Sequence, residues 1–229
     1  MIPLEANTVT RNEGLMVFWA RIDPANWLEY QQWHNCQHIP ERLAIEGFHA
    51  GRRYRSAADP SLFMMFYETE STASLQSKAY LHALGNPTPW TRKALGWFRD
   101  GARSVYKRSF ETGGERQNEA PLLIAIRYDA AHDWIAHTSA KVRRVRQFLM
   151  DDAASNVKTS EQSIHGAAPS VRRRLALAEC EDSDLLQEAA LGPGALSALT
   201  ASIGVPESLN VEVELYWLEI ALRRPGPKA

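Results

Sequence analysis

Four stretches in the first half of the chain are apolar and rich in β-branched or aromatic residues over strand-like lengths: GLMVFWARI (14–22), FHAGRRYRSA (48–57), SLFMMFYET (61–69) and ARSVYKRSFE (102–111). Asp59-Pro60 is a turn signal, so the second and third runs are predicted to form an antiparallel hairpin. Asp23-Pro24 can cap and open a helix carrying Trp27, Leu28, Tyr30 and Gln31. Pro40 pushes its predecessor out of the helical region and also suits the first position of a new helix. The reading is a break near Ile39, a short second helix up to Gly47, and His38 at the bend between them. A helix from about Ser71 to Leu84 follows, with Leu75, Ala79 and Leu81 inward, then the loop GNPTPWTR and a short helical piece with Trp97 and Phe98.

This β-α-β-β-α-β order is that of a ferredoxin-like unit. The polar stretch TGGERQNEAP (112–121) reads as a joint, and the rhythm then repeats. LLIAIRYD is a strand, Asp133 to about Ala153 a helix, NVKTSEQSIHG and VRRRLALAEC a strand pair, 183–202 a helix and SLNVEVELYWLEIAL a final strand. The division is 1–115 and 116–229, giving an α+β protein of two tandem ferredoxin-like units. In LMVFWARI, LFMMFYE and LLIAIRY apolar residues occupy both faces, so each antiparallel sheet must be covered twice. Helices cover one face, and the other packs on the second unit's sheet, which encloses a barrel within one chain and a natural place for a small-molecule pocket.

Composition narrows the partners. With 229 residues, 45% hydrophobic, 23% charged and a net charge of -1, the chain has no electrostatic reason to bind nucleic acid or an anionic membrane. Cys36 and Cys180 make no disulfide framework and no CxxC pair. The start MIPLEANTVTRNEG lacks the features of a signal peptide, and no run approaches the ~18 apolar residues of a membrane span, so the expectation is a cytoplasmic protein with a small-molecule substrate. A homodimer is compatible with this pattern.

The chemistry concentrates in WHNCQHIPERLAIEGF (33–48). His38 can exchange a proton near pH 7, although a histidine capping a helix end is the plainer account. Glu41 can orient His38 or act as an acid, and the helix dipole alone also explains it. His34 and His38, spaced i,i+4, would share a helix face, but no HExxH carboxylate separates them and Cys36 points elsewhere, so no metal site is assigned. Asn35 can hold a tautomer or a substrate oxygen, whereas Trp27 and Trp33 pack. On the second strand, Arg53 shares a face with His49, and Arg52 with Tyr54. An inward arginine would bind a carboxylate or an enolate-like oxyanion; the alternative is a solvated strand end. Trp90 in NPTPWTR can cover a pocket or simply pack, and KVRRVRQF (141–148) reads as a solvated helix face.

WHNCQHIPERLAIEGF followed by Arg52-Arg53-Tyr54 resembles the signature of the dimeric α/β-barrel superfamily, particularly the EthD-related group. The second half has only DWIAH in the equivalent place and no His-x-Pro-Glu, so the resemblance implies a tandem fusion with one intact site. It singles out His38, Glu41 and Arg53 as catalytic, and His34, Asn35, Tyr54 and Trp90 are the substrate-binding candidates beside them. Where the group often has an acidic residue before the motif histidine, this chain has Gln37. The superfamily spans cofactor-free monooxygenases, isomerases, cyclases, lyases and haem-handling proteins, so fold does not select the reaction. The leading expectation is a cofactor-independent enzyme doing acid/base chemistry on a small aromatic or lactone-like metabolite. The alternatives are a haem- or metal-binding protein or monooxygenase, and a binding protein that leaves its ligand unchanged.

Overall fold

The computed structural model describes residues 13–114, 118–181, 185–187 and 193–225. Its strands are β1 (Gly14–Arg21), β2 (Phe48–Ser56), β3 (Leu62–Thr69), β4 (Arg99–Gly113), β5 (Leu122–Tyr128), β6 (Val142–Met150), β7 (Arg174–Cys180) and β8 (Val211–Arg223). They close into one barrel in the order β1-β3-β2-β8-β5-β7-β6-β4, every pairing antiparallel. Within each half the spatial order is fourth, first, third, second strand, and the halves meet at the β2–β8 and β4–β6 seams.

Strand alternation explains the doubly apolar runs. Leu15, Val17, Trp19, Tyr54, Met64, Phe66, Tyr106, Leu123, Phe148, Leu175, Leu177 and Tyr216 form one buried cluster inside the barrel. Met16, Phe18, Phe63, Met65 and Tyr67 point outward and pack with Tyr30, Trp33, Ile39 and Tyr80 of the covering helices. At ~1.5–3 kcal/mol per fully buried large side chain, both faces drive folding. The barrel interior is thus filled by side chains, and the layer between the first sheet and its helices is a separate compartment.

The helices are α1 (Trp27–Trp33), α2 (Ile39–Leu43), α3 (Lys78–Gly85), α4 (Pro89–Leu95), α5 (Asp152–Ser155), α6 (Ser160–His165) and α7 (Pro193–Ser202). Several expectations are corrected. No helix spans 133–153: residues 133–141 are irregular and 142–150 form β6. The arginines of KVRRVRQF are therefore not solvated. Arg144 and Arg146 lie buried at one end of the barrel, paired with Glu111 at 2.7 Å and with Glu68 at 2.5 Å and Glu179 at 3.1 Å. Arg52 joins this network through Glu68 at 2.7 Å and Glu119 at 2.5 Å. Burial raises the Glu68 carboxyl, but Arg52 and Arg146 outweigh it and hold the group far below the usual carboxylate range.

NVKTSEQSIHG is not a strand. Thr159 caps α6 through the N–H of Gln162, and Gly166 ends it in the left-handed region at φ 67. The helix read over 71–84 is split by extended Ser77, which rotates its phase, so that Leu75, Tyr80 and Leu84 are buried and Ala79 is exposed. The helical piece after Asn86 is α4, with Trp90 in its first turn, and it ends before Trp97. Of the helix read over 183–202, residues 183–184 and 188–192 lie outside the described residues, and α7 accounts for its end.

Candidate functional site

The helix does not break at Pro40. Ile39 keeps helical angles (φ -61, ψ -49), and α1 runs into α2 through a π-helical turn, His34–His38. The N–H of Ile39 bonds the carbonyl of His34, five residues back. Pro40 supplies the reason: it has no N–H to donate, and in a regular α-helix its ring would collide with the carbonyl of Cys36. Widening one turn accommodates the ring without ending the helix, and such turns are frequent at functional sites.

The π turn directs His34 and His38 inward, 0% and 3% exposed, with stacked rings 5.7 Å apart, while Cys36 faces solvent. Arg53 Nη1 lies 2.9 Å from His34 Nδ1. A guanidinium only donates, so Nδ1 accepts and the neutral ring carries its proton on Nε2, which is 3.5 Å from the Tyr67 hydroxyl oxygen. Burial, then Arg53 and Arg42, push the His34 pKa well below its usual value. His38 is lowered likewise, by burial first and then by Arg42, His34 and His165. Its ring packs 4.4 Å from Trp33 and 6.3 Å from Tyr67, and its buried Nδ1 has no hydrogen-bond partner among the described residues. With its proton on Nε2, such a neutral imidazole offers Nδ1 as a proton acceptor, a weaker base than a free histidine because burial and Arg42 disfavour its charged form.

The other candidates fall in different places. Arg53 joins His34, donating also to Asn35 Oδ1 at 2.9 Å and Glu219 Oε2 at 2.6 Å. Glu219 is shared with Arg55, whose Nε donates to it at 2.7 Å and whose guanidinium lies 3.6 Å above Trp27. Arg53 thus already has its donors engaged by a carboxylate, Asn35 and His34. Glu41 does not orient His38: it is exposed and accepts from Gln37 at 2.9 Å, and Gln37 also donates to Thr88, the residue that caps α4, at 2.6 Å. Tyr54 lies inside the barrel, across the sheet from the histidines, with its hydroxyl on the Ala120 carbonyl at 3.3 Å. Trp90 packs half-buried against the helix-side core, beside Thr91, which accepts from Trp33 Nε1 at 3.1 Å.

Sequence reasoning missed four participants. Tyr67 stands opposite Gly51, where a Cβ would come within 2.8 Å of its ring and 2.9 Å of Ile39, so the glycine lets α2 and Tyr67 approach β2. Arg42, four residues after His38, shares its helix face; that spacing was a usable signal. Glu161 and His165 come from α6, in the second half, and no local pattern placed them on the first sheet. Glu161 pairs with Arg42 at 2.5 Å, both side chains under 10% exposed, and His165 sits edge-on to Phe18 at 5.0 Å. A cleft of about 360 Å³ borders this layer, lined by Arg21, Ile22, Asp23, Pro24, Asn26, Ser61, Trp97 and Arg99.

A metal ion held by side chains alone is a poor fit to these residues. Among the described residues no group of three His, Cys, Asp or Glu side chains can hold an ion. His34 has both ring nitrogens engaged, and His38 is wedged between Trp33 and His34. Among the described residues no helix is long and apolar enough to cross a membrane.

No protein-family model matches the sequence, and neither does any curated protein. Solved structures do match in shape. An anthrone oxidase-like protein superposes with a TM-score of 0.58 at 7% identity, covering 94% of each chain. A candidate monooxygenase from Lactobacillus acidophilus gives 0.52 at 9% identity over 93% of this chain and 97% of its own. A candidate chlorite dismutase gives 0.50 at 12% identity over 91% and 96%. The eight-stranded closed barrel here shares the fold of these proteins.

Proposed function

We propose that this protein is a cofactor-independent enzyme that moves a proton on a small ring-containing metabolite, with His38 as the general base. The observation that carries the reading is the buried, unpartnered Nδ1 of His38, aimed by the π turn into an aromatic layer. Because burial and Arg42 disfavour its protonated form, His38 starts the cycle neutral, and the base role is preferred to the acid role. His34 is a positioning residue: held by Arg53, it directs Nε2–H at Tyr67 and leaves the Tyr67 proton free to be donated to an oxygen that gains charge in the reaction. Tyr30, Trp33, Phe63 and Phe98 supply apolar ring surfaces. Isomerisation, dehydration, decarboxylation and cyclisation can all begin with such a proton abstraction.

A second reading, a monooxygenase, is favoured by the descriptions of two proteins that share the fold, an anthrone oxidase-like protein and a candidate monooxygenase. The same base would then form the substrate anion that reacts with oxygen. We also read the halves 1–115 and 116–229 as tandem ferredoxin-like units related to the EthD group; the equal strand order of the two halves supports this. The test is turnover of ring-containing acids and lactones by wild type and His38→Gln, with dissolved oxygen recorded. Loss of product in the variant supports the base, oxygen uptake selects the monooxygenase branch, and unchanged turnover overturns both.

A further inference from the structure

The charges between the first sheet and its helices do not balance. Arg42 faces Glu161, and Arg53 and Arg55 share Glu219, but Arg103 on β4 forms no ion pair among the described residues. It is 9% exposed, and its side-chain contact is Nη2 to the Tyr80 hydroxyl at 3.4 Å. A charged group this buried is normally paired. The groups around it are Tyr80, which also lies 5.8 Å from the Arg42 guanidinium, and Glu161 and His165 of α6, both of which feel its charge. His165 in turn acts on His38, whose Nδ1 is the unpartnered imidazole atom of the same layer. On the solvent side of the α3–α6 contact lies a cleft of about 420 Å³, lined by residues including Leu81, Gly85 and the exposed Lys158.

We infer that Arg103, with the Tyr80 hydroxyl, is the anchor for a carboxylate group of the substrate, so that the enzyme takes an organic acid. This rests on the reading of His38 as the base and deepens it. Arg53, the arginine that sequence reasoning favoured for this task, is excluded because Glu219 already occupies it. The anchored carboxylate supplies the missing negative charge, and it brings a base-sensitive C–H of the same molecule into the layer that His38 faces.

The experiment follows melting temperature with benzoate, its neutral analogue benzamide, and sodium chloride at matched ionic strength, for wild type, Arg103→Met and His38→Gln. Benzoate is expected to raise the wild-type Tm by about 3 °C or more at saturation while the other two do not. Arg103→Met abolishes the benzoate shift and, lacking an uncompensated buried charge, melts without ligand no lower than wild type. His38→Gln keeps the shift, which separates binding from proton transfer. The inference is overturned if benzamide or chloride matches benzoate, if Arg103→Met retains the shift, or if that variant melts well below wild type without ligand. If benzoate binds through Arg103 while His38→Gln still turns over, the base assignment fails and the anchor stands.

Discussion

Arg42 on α2 and Glu161 on α6 form a buried ion pair 2.5 Å apart, across 119 residues of sequence and between the two halves of the chain. Burial alone lowers the Arg42 pKa, yet Glu161 and its neighbours raise it; for Glu161 burial dominates and the carboxyl stays above its usual value. The pair is thus costly to bury and costlier to break. We expect Arg42→Met to lose about 3–5 kcal/mol in urea unfolding at pH 7.5, and the double variant Arg42→Met, Glu161→Met to recover most of it. Equal stability of single variant and wild type would detach α6 from the site.

Gly51 is the point where α2, β2 and Tyr67 come closest. A methyl group there meets the Tyr67 ring at 2.8 Å and Ile39 Cγ2 at 2.9 Å. Gly51→Ala is expected to cost about 1–3 kcal/mol by overpacking and to lower turnover by displacing Tyr67. Denaturation midpoints and initial rates check the two effects separately.

Acidification should destabilise the protein before its carboxylates titrate. His34, His38 and His165 all have lowered pKa values, His165 down to about 4, against 6.5 when unfolded. The unfolded chain therefore takes up protons first as pH falls below 6.5, and stability present above that value is lost progressively toward the folded pKa values. At one pH unit below 6.5 the His165 shift costs about 1.4 kcal/mol, and His34 and His38 act in the same direction. Glu161, raised above 4.5, opposes this by at most one proton. Urea unfolding at pH 7.5 and 5.5 measures the sum, and His38→Gln should remove one histidine's share.

The hairpin of β2 and β3, the strands β1, β4, β5, β7 and β8, and the two-faced burial of each sheet were legible because period and turn chemistry act locally. The β6 strand was not, because its arginines look solvated until Glu68, Glu111 and Glu179, brought in by other strands, neutralise them. Pro40 misled in the opposite way: the rule that it ends a helix holds for the regular α-helix, and a π turn escapes it. In the site, His34, His38, Asn35 and Arg53 were visible from one motif and do come together. Tyr54 does lie on the face opposite Arg53, inside the barrel and away from the histidines, Glu41 was given a partner it does not touch, and Arg103, Glu161 and His165 needed the fold.

The motif's two most conspicuous ionisable residues have opposite prospects. Glu41 is exposed and bonded to Gln37, so Glu41→Gln should keep turnover within about two-fold, whereas losing a general base costs about 10²–10⁴-fold. The most direct test is deuterium incorporation from D2O into ring-containing carbon acids, followed by NMR for wild type, His38→Gln and Glu41→Gln. The account expects exchange by wild type and Glu41→Gln and at least a ~100-fold loss in His38→Gln. Equal exchange by the His38 variant would contradict it.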